Sequence, residues 1–104
     1  FNVTINESLA VALLTNLLKN AFVHNIDGGH IRITVTKNSI TFRNSGVKNP
    51  LDKEHIFERF YQGTKKEGST GLGLAIADSI CRLQHLSIRY YFEQKEHCFE
   101  ISRQ

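Results

Sequence analysis

Two asparagines in "LLTNLLKNAFVHN", Asn16 and Asn20, are the first residues along the chain whose type and spacing suggest chemistry. An i, i+4 spacing puts both side chains on one side of a helix, about 40° apart. Asparagine is a mediocre helix former, and a half-buried amide without a partner costs about 1–3 kcal/mol. A carboxamide oxygen can ligate a hard cation such as Mg2+, which keeps several waters and takes few protein ligands beside phosphate oxygens. The same pair can also be a solvent-facing strip beside an apolar arc. A second candidate is "GSTGLGLAIADSI", Gly68 to Ile80, where glycines lead directly into a helical pattern. Such a junction leaves free backbone N–H groups at the positive end of the helix dipole, which suits a phosphate. Alternatively, Gly68 caps a loop while Gly71 and Gly73 allow close helix packing. The third candidate is "ITFRNSGVKNP", where Asn44 stands at a strand end before Ser45 and Gly46. An amide there can read the edge of a heterocycle or simply form an Asn-x-Gly turn.

Positioning these residues requires a sheet and two long helices. "FNVTIN" alternates and is β-prone, so Phe1 to Ile5 reads as a strand. Asn6 or Ser8 can cap the next helix, in which Leu9, Leu13, Leu14, Leu17, Leu18, Ala21 and Phe22 recur at helical spacing to about His24. "DGG" at Asp27 to Gly29 is a turn, and "IRITVT" with "SITFR" forms a hairpin. "KEHIFERFYQG" reads as a short helix ending near Gly63. Leu72 to Gln84 reads as a second long helix, with Leu72, Ile76, Ile80 and Leu83 on one side. "LSIRYYFEQ" and "HCFEISR" form a closing hairpin. The order implies an α+β fold, a two-layer α/β sandwich whose mixed sheet is covered on one face by helices.

With 104 residues the chain makes one domain with a single core. A net charge of +3 is too weak to argue for nucleic acid and suits an anionic small ligand equally well. Its longest apolar runs are too short to cross a bilayer, and no secretory signal is visible. The absence of methionine suggests a piece of a longer protein, so residues 1–104 are expected to be one domain of it. Cys81 and Cys98 fall in apolar patterns without metal-ligand spacing and read as buried, reduced thiols. Two phosphate motifs fail. Ile76 stands where a dinucleotide fingerprint needs its third glycine, and Leu74 and Ala75 stand where a P-loop needs Lys and Ser/Thr.

Together, and in this order, the segments resemble the ATP-binding domain of sensor histidine kinases, members of the GHKL (Bergerat-fold) ATPase superfamily. "NLLKNAFVHN" looks like its N box, and "NSG" sits where the first glycine box belongs. "IFERFYQG" is similar to the F box and "GSTGLGLAI" to the second glycine box. The resemblance implies ATP and Mg2+ as cofactors, with Asn20 as the metal ligand and Asn16 and Asn20 as the catalytic pair. It places His24 and Asn25 near the nucleotide. Asn44 takes the place of the aspartate that binds the adenine amino group, with Gly46 behind it. Thr70, Gly71, Leu72 and Gly73 line the phosphates, and Lys65 and Lys66 are the lid's charges for the γ-phosphate. Phe57 and Phe60 resemble the aromatic pair of the F box and read as core residues. The resemblance further implies transfer of the γ-phosphate to a histidine on a separate dimerisation and phosphotransfer domain of the same protein, with a response regulator as later partner. It implies a cytoplasmic domain of a membrane-bound sensor kinase, with no nucleic-acid partner and no direct membrane contact by this piece.

The departures are specific. Asn44 replaces the aspartate, Lys48 stands at the box's second glycine, and Val23 stands where many relatives carry a basic residue. A neutral amide still accepts from an amino group but binds it less tightly, by about 1 kcal/mol. None of His24, His30, His55, His85 or His97 has the setting of a phosphoacceptor, since the single proline, Pro50, follows none of them closely. The alternatives are a degenerate nucleotide-binding or partner-docking domain, which Val23 and Asn44 favour, and a serine-kinase anti-sigma factor or chaperone-type ATPase. The latter group usually places glutamate where Asn16 stands.

Overall fold

The first helix, α1 (Glu7–Val23), starts at Asn6, whose Oδ1 accepts the Leu9 N–H at 3.2 Å. That bond satisfies one of the amide donors left over at a helix start. The structure is a computed structural model and describes residues 3–59, 61 and 72–104. After α1 come β1 (Ile31–Val35), β2 (Ser39–Asn44), α2 (Gly73–Leu83), β3 (Leu86–Glu93) and β4 (Glu96–Arg103). The strands form one sheet in the order β1-β2-β4-β3. Every neighbouring pair is antiparallel, so the described sheet is not mixed as expected. Of the strand expected before α1, residues 3–5 pair with no described strand; the chain leads instead into the Asn6 cap.

Both helices cover the same face. Leu13 and Leu17 of α1 and Ala77, Ile80 and Cys81 of α2 share a core with Phe42, Tyr90, Phe99 and Ile101 from the sheet. The α+β two-layer expectation therefore holds, while the buried stripes differ from the predicted ones in detail. In α1, Leu13, Leu17 and Ala21 are buried, whereas Leu14 is exposed and Phe22 is 71 % exposed. In α2, Ala75, Ala77, Ile80 and Cys81 are buried, while Ile76 and Leu83 face outward. Alanines on the inner side let α2 lie close to its neighbours, and packing rather than side-chain size decides the face. The expected short helix after Pro50 is instead a run of turns at residues 53–57. The Asp52 carbonyl accepts from His55 and Ile56 N–H, and later bonds are of the i→i+3 kind. Ile56 is buried, and Phe57 meets Phe99 edge-on at 6.2 Å, in keeping with its reading as core. Phe60 and Gly63 lie outside the described residues. Cys81 and Cys98 are free and buried, and burial pushes the Cys81 thiol up to about 11.

The outer face of the sheet is held by charge. Glu96, at the start of β4, is buried and reaches across β2 to β1. Arg32 donates to both of its oxygens, and His30 Nε2 lies 2.7 Å from Oε2. The guanidinium, then the His30 contact, hold the Glu96 carboxyl at about 2, below its ordinary 4.5. A carboxylate lowered on folding stabilises the protein above its unfolded value and loses that contribution as pH falls through its folded value. Chemical denaturation is therefore expected to show stability dropping between pH 4.5 and about 2. Glu96→Gln should be less stable at neutral pH and show a smaller drop in that window. An unchanged acid profile would show that the clamp contributes nothing.

Candidate functional site

Asn16 and Asn20 both leave α1 half-buried, beside its fully buried Leu17 stripe. The Asn16 amide is oriented by its own helix, because Nδ2 donates to the Ala12 carbonyl at 2.8 Å. Its oxygen is thereby presented to the beginning of α2. A Cβ on Gly73 would stand 3.2 Å from Asn16 Oδ1, so the bare backbone of Gly73 is what allows the approach. Leu72 caps α2 without a side-chain hydrogen bond, and no acidic residue lies in the first turn. The positive end of the α2 dipole thus lies beside Asn16. Asn20 follows one turn later on the same side of α1. Among the described residues, no hydrogen bond reaches its side chain.

At the other end of α1, the His24 N–H bonds the Asn20 carbonyl at 3.1 Å, closing the helix. The His24 carbonyl packs against Gly46, where a Cβ would come within 2.9 Å of it and 3.0 Å of His97 Cδ2. Asn16, Asn20 and His24 thus form a row on α1 about 12 Å long. Gly73 adjoins its first member and Gly46 its last. Asn44, two residues before Gly46, is 2 % exposed. Its Nδ2 donates to the Ser45 carbonyl at 2.7 Å, while Oδ1 is buried without a partner. Leaving such an acceptor unmade costs about 1–3 kcal/mol, which a donor on a ligand would recover.

Asn25, expected near the nucleotide, is held by three hydrogen bonds. Its Oδ1 accepts from Ile26 N–H at 2.9 Å and Ser45 Oγ at 2.6 Å, and its Nδ2 donates to the His30 carbonyl at 3.0 Å. These bonds make it the joint between the α1 exit and the β1–β2 hairpin. Gly29 fits inside this joint, where a Cβ would lie 2.2 Å from Ser45 Oγ. Val23, the position of a basic residue in many relatives, is half-buried. Lys65, Lys66, Thr70 and Gly71 lie outside the described residues. Two residues missed by the sequence reading belong to this corner. His97 pairs with Asn44 across β2 and β4, and Tyr90 bonds its ring. Neither lies in a motif, and their contact with the Asn44 segment depends on strand register.

Among the described residues, Asp52, Glu54 and His55 are the sole His/Cys/Asp/Glu group close enough to share an ion. They are exposed, and Asp52 already bonds both His55 Nδ1 and Glu54 N–H, so the group serves the turn. A cavity of about 430 Å3 opens elsewhere, between Lys53, Phe57, Asp78 and Arg89, and no expected site residue lines it.

The family model described as "Histidine kinase-, DNA gyrase B-, and HSP90-like ATPase" matches residues 5–102. The chain belongs to this ATPase family. Within it, the chain is similar to sensor histidine kinases. It is 43 % identical to the sensor histidine kinase RppB of Synechocystis over 84 residues, covering 72 % of this chain and 18 % of that protein. It is 39 % identical to the heme sensor protein HssS of Staphylococcus aureus over 90 residues, covering 82 % of this chain and 20 % of that protein. The chain thus spans about a fifth of these relatives. Among solved structures, the nucleotide-free catalytic domain of histidine kinase ThkA superposes with a TM-score of 0.76 at 28 % identity, covering 95 % of this chain and 68 % of that one. The mycobacterial sensor histidine kinase MprB shares the fold, with a TM-score of 0.78 at 20 % identity, over 97 % of this chain and 77 % of that one. The protein is therefore an ATP-binding domain of the sensor histidine kinase type. Among the described residues, no helix is long and apolar enough to cross a membrane.

The two glycine contacts differ in what would have to yield. Gly46→Ala drives a Cβ into a backbone carbonyl and a packed ring, and should cost about 1–3 kcal/mol in urea denaturation. Gly73→Ala meets only the Asn16 side-chain oxygen, 3.2 Å away, which can shift, so it should change stability far less. Equal losses at both positions would contradict this geometry.

Proposed function

We propose that the protein binds Mg·ATP along the α1 row and donates the γ-phosphate to a histidine on a separate dimerisation and phosphotransfer domain of a two-component sensor kinase. A response regulator would then take the phosphate onward. The observation that carries this reading is the Asn44 carboxamide. Its nitrogen is engaged and its oxygen is buried without a donor, an arrangement suited to an exocyclic amino group on a base. From there the row of His24, Asn20 and Asn16 leads to the start of α2, whose amides and dipole favour phosphate oxygens.

The carboxamide oxygens of Asn16 and Asn20 are hard donors of the kind Mg2+ accepts, and these two residues would hold it, Asn20 as direct ligand. Bound there, the ion would neutralise phosphate charge. Phosphoryl transfer asks a protein mainly for positioning and charge stabilisation. In this chain, the Asn44 oxygen orients the base, the α2 amides bind the triphosphate, and Lys65 and Lys66 are the candidates for the γ-phosphate. With Asn rather than Glu at position 16, the site lacks a general base there, which favours transfer to an external acceptor over hydrolysis.

Isothermal titration should show Mg·ATP binding that ADP competes away. Asn44→Leu and Asn20→Ala should each weaken it by about tenfold or more, equivalent to about 1.4 kcal/mol. No heat with ATP up to millimolar concentration would overturn the reading. That result would favour the second reading, a partner-docking domain without catalysis, to which the half-buried Val23 and the neutral Asn44 lend support. Incubated alone with labelled ATP, this chain should acquire no phosphohistidine. Acid-labile label mapped to His24, His30, His55, His85 or His97 would contradict an external acceptor.

A further inference from the structure

The segment after Asn44 is fastened to the sheet by two side chains that no nucleotide motif contains. His97 Nε2 lies 2.7 Å from the Val47 carbonyl, which can only accept, so Nε2 carries the hydrogen. In the neutral ring Nδ1 is then an acceptor, and Tyr90 Oη, 2.7 Å away, donates to it. Tyr90 Oη in turn accepts the Leu51 N–H at 2.9 Å. Each polar group in this chain of bonds has one consistent role. His97 is 3 % exposed and tilts against Phe92 with ring centroids 4.8 Å apart, so its ring has little freedom to move. The strand register puts His97 beside Asn44, and Gly46 lies flush against its ring.

We propose that His97 and Tyr90 are positioning residues for base recognition, acting on Asn44 through the backbone of the segment that follows it. A single peptide links these anchors to the carboxamide. Asn44 Nδ2 is held by the Ser45 carbonyl, and the orientation of that carbonyl depends on where Val47 and Leu51 are anchored. With the anchors in place, the carboxamide cannot turn to satisfy its own oxygen, which stays available to a ligand donor. Without them, Ser45 keeps only its bonds to His30 and Asn25 on the other side, its carbonyl loses its fixed orientation, the carboxamide turns with it, and selectivity for the amino group falls.

This inference rests on the reading of Asn44 as the base-binding residue, and the test separates the two. Affinities for Mg·ATP and for Mg·purine riboside triphosphate, which lacks the exocyclic amino group, are measured by competition against a fluorescent ADP. The unmodified protein should prefer ATP by roughly five- to tenfold, the value of one hydrogen bond, and Asn44→Leu should bring the ratio near one. Tyr90→Phe and His97→Leu should also bring the ratio near one. His97→Gln, whose amide can still donate to Val47, should keep part of it. If His97→Leu does not fold, Tyr90→Phe and His97→Gln carry the comparison. Variants that bind both nucleotides more weakly at an unchanged ratio would assign His97 and Tyr90 to stability alone and overturn the proposal. An unmodified protein that does not distinguish the nucleotides would overturn the Asn44 reading, and the proposal with it.

Discussion

Helix α1 can serve as the spine of this site because two glycines meet it closely, Gly46 where any side chain would intrude. Gly73 at the level of Asn16 and Gly46 at the level of His24 bring two backbone segments, distant in sequence, against one helix. Leu13, Leu17 and Ala21 hold that helix on the core. Its flank can then carry carboxamides whose polarity would otherwise be a defect. The burial of one stripe and the exposure of its neighbour come from the same helical repeat, so stability and site share a single geometry.

The buried Asn44 oxygen departs from local economy. A domain selected for stability alone would place an apolar residue or a matched pair at a position 2 % exposed. Here the amide is half-satisfied, and the surroundings are arranged to keep it so. Asn25, Ser45 and His30 close one side of the segment with their own bonds, and His97 and Tyr90 close the other. The open acceptor is surrounded by groups already committed to each other.

Much of this was legible in the sequence. The leucine spacing of α1, the Asn6 cap, both hairpins and the start of α2 follow from local rules, and Asn16 stands against Gly73 at that start. Three kinds of feature were not legible. Ile76 and Leu83 looked like core at helical spacing, yet Ala75 and Ala77 take the inner face, because burial depends on what the helix lies against. The alternation of "FNVTIN" resembles a strand, but β-structure needs a partner, and residues 3–5 have none in the described sheet. Tyr90 and His97 reach the Asn44 segment through register, and Asn25 joins the α1 exit to the β1–β2 hairpin through partners that local patterns do not name.

The β3–β4 hairpin turns through Gln94 and Lys95, both with positive φ (51° and 63°) and neither a glycine. Such a tip is a poor guide to how the two strands align, since its own preference for that shape is weak. On the other side of β4, the Glu96 clamp ties that strand to β1 across β2. A slip of one residue would carry Glu96 to the helix side, away from Arg32, and send His97 to the opposite face, away from Asn44. An ion cluster on one surface of the sheet thereby helps index the residues that face the other.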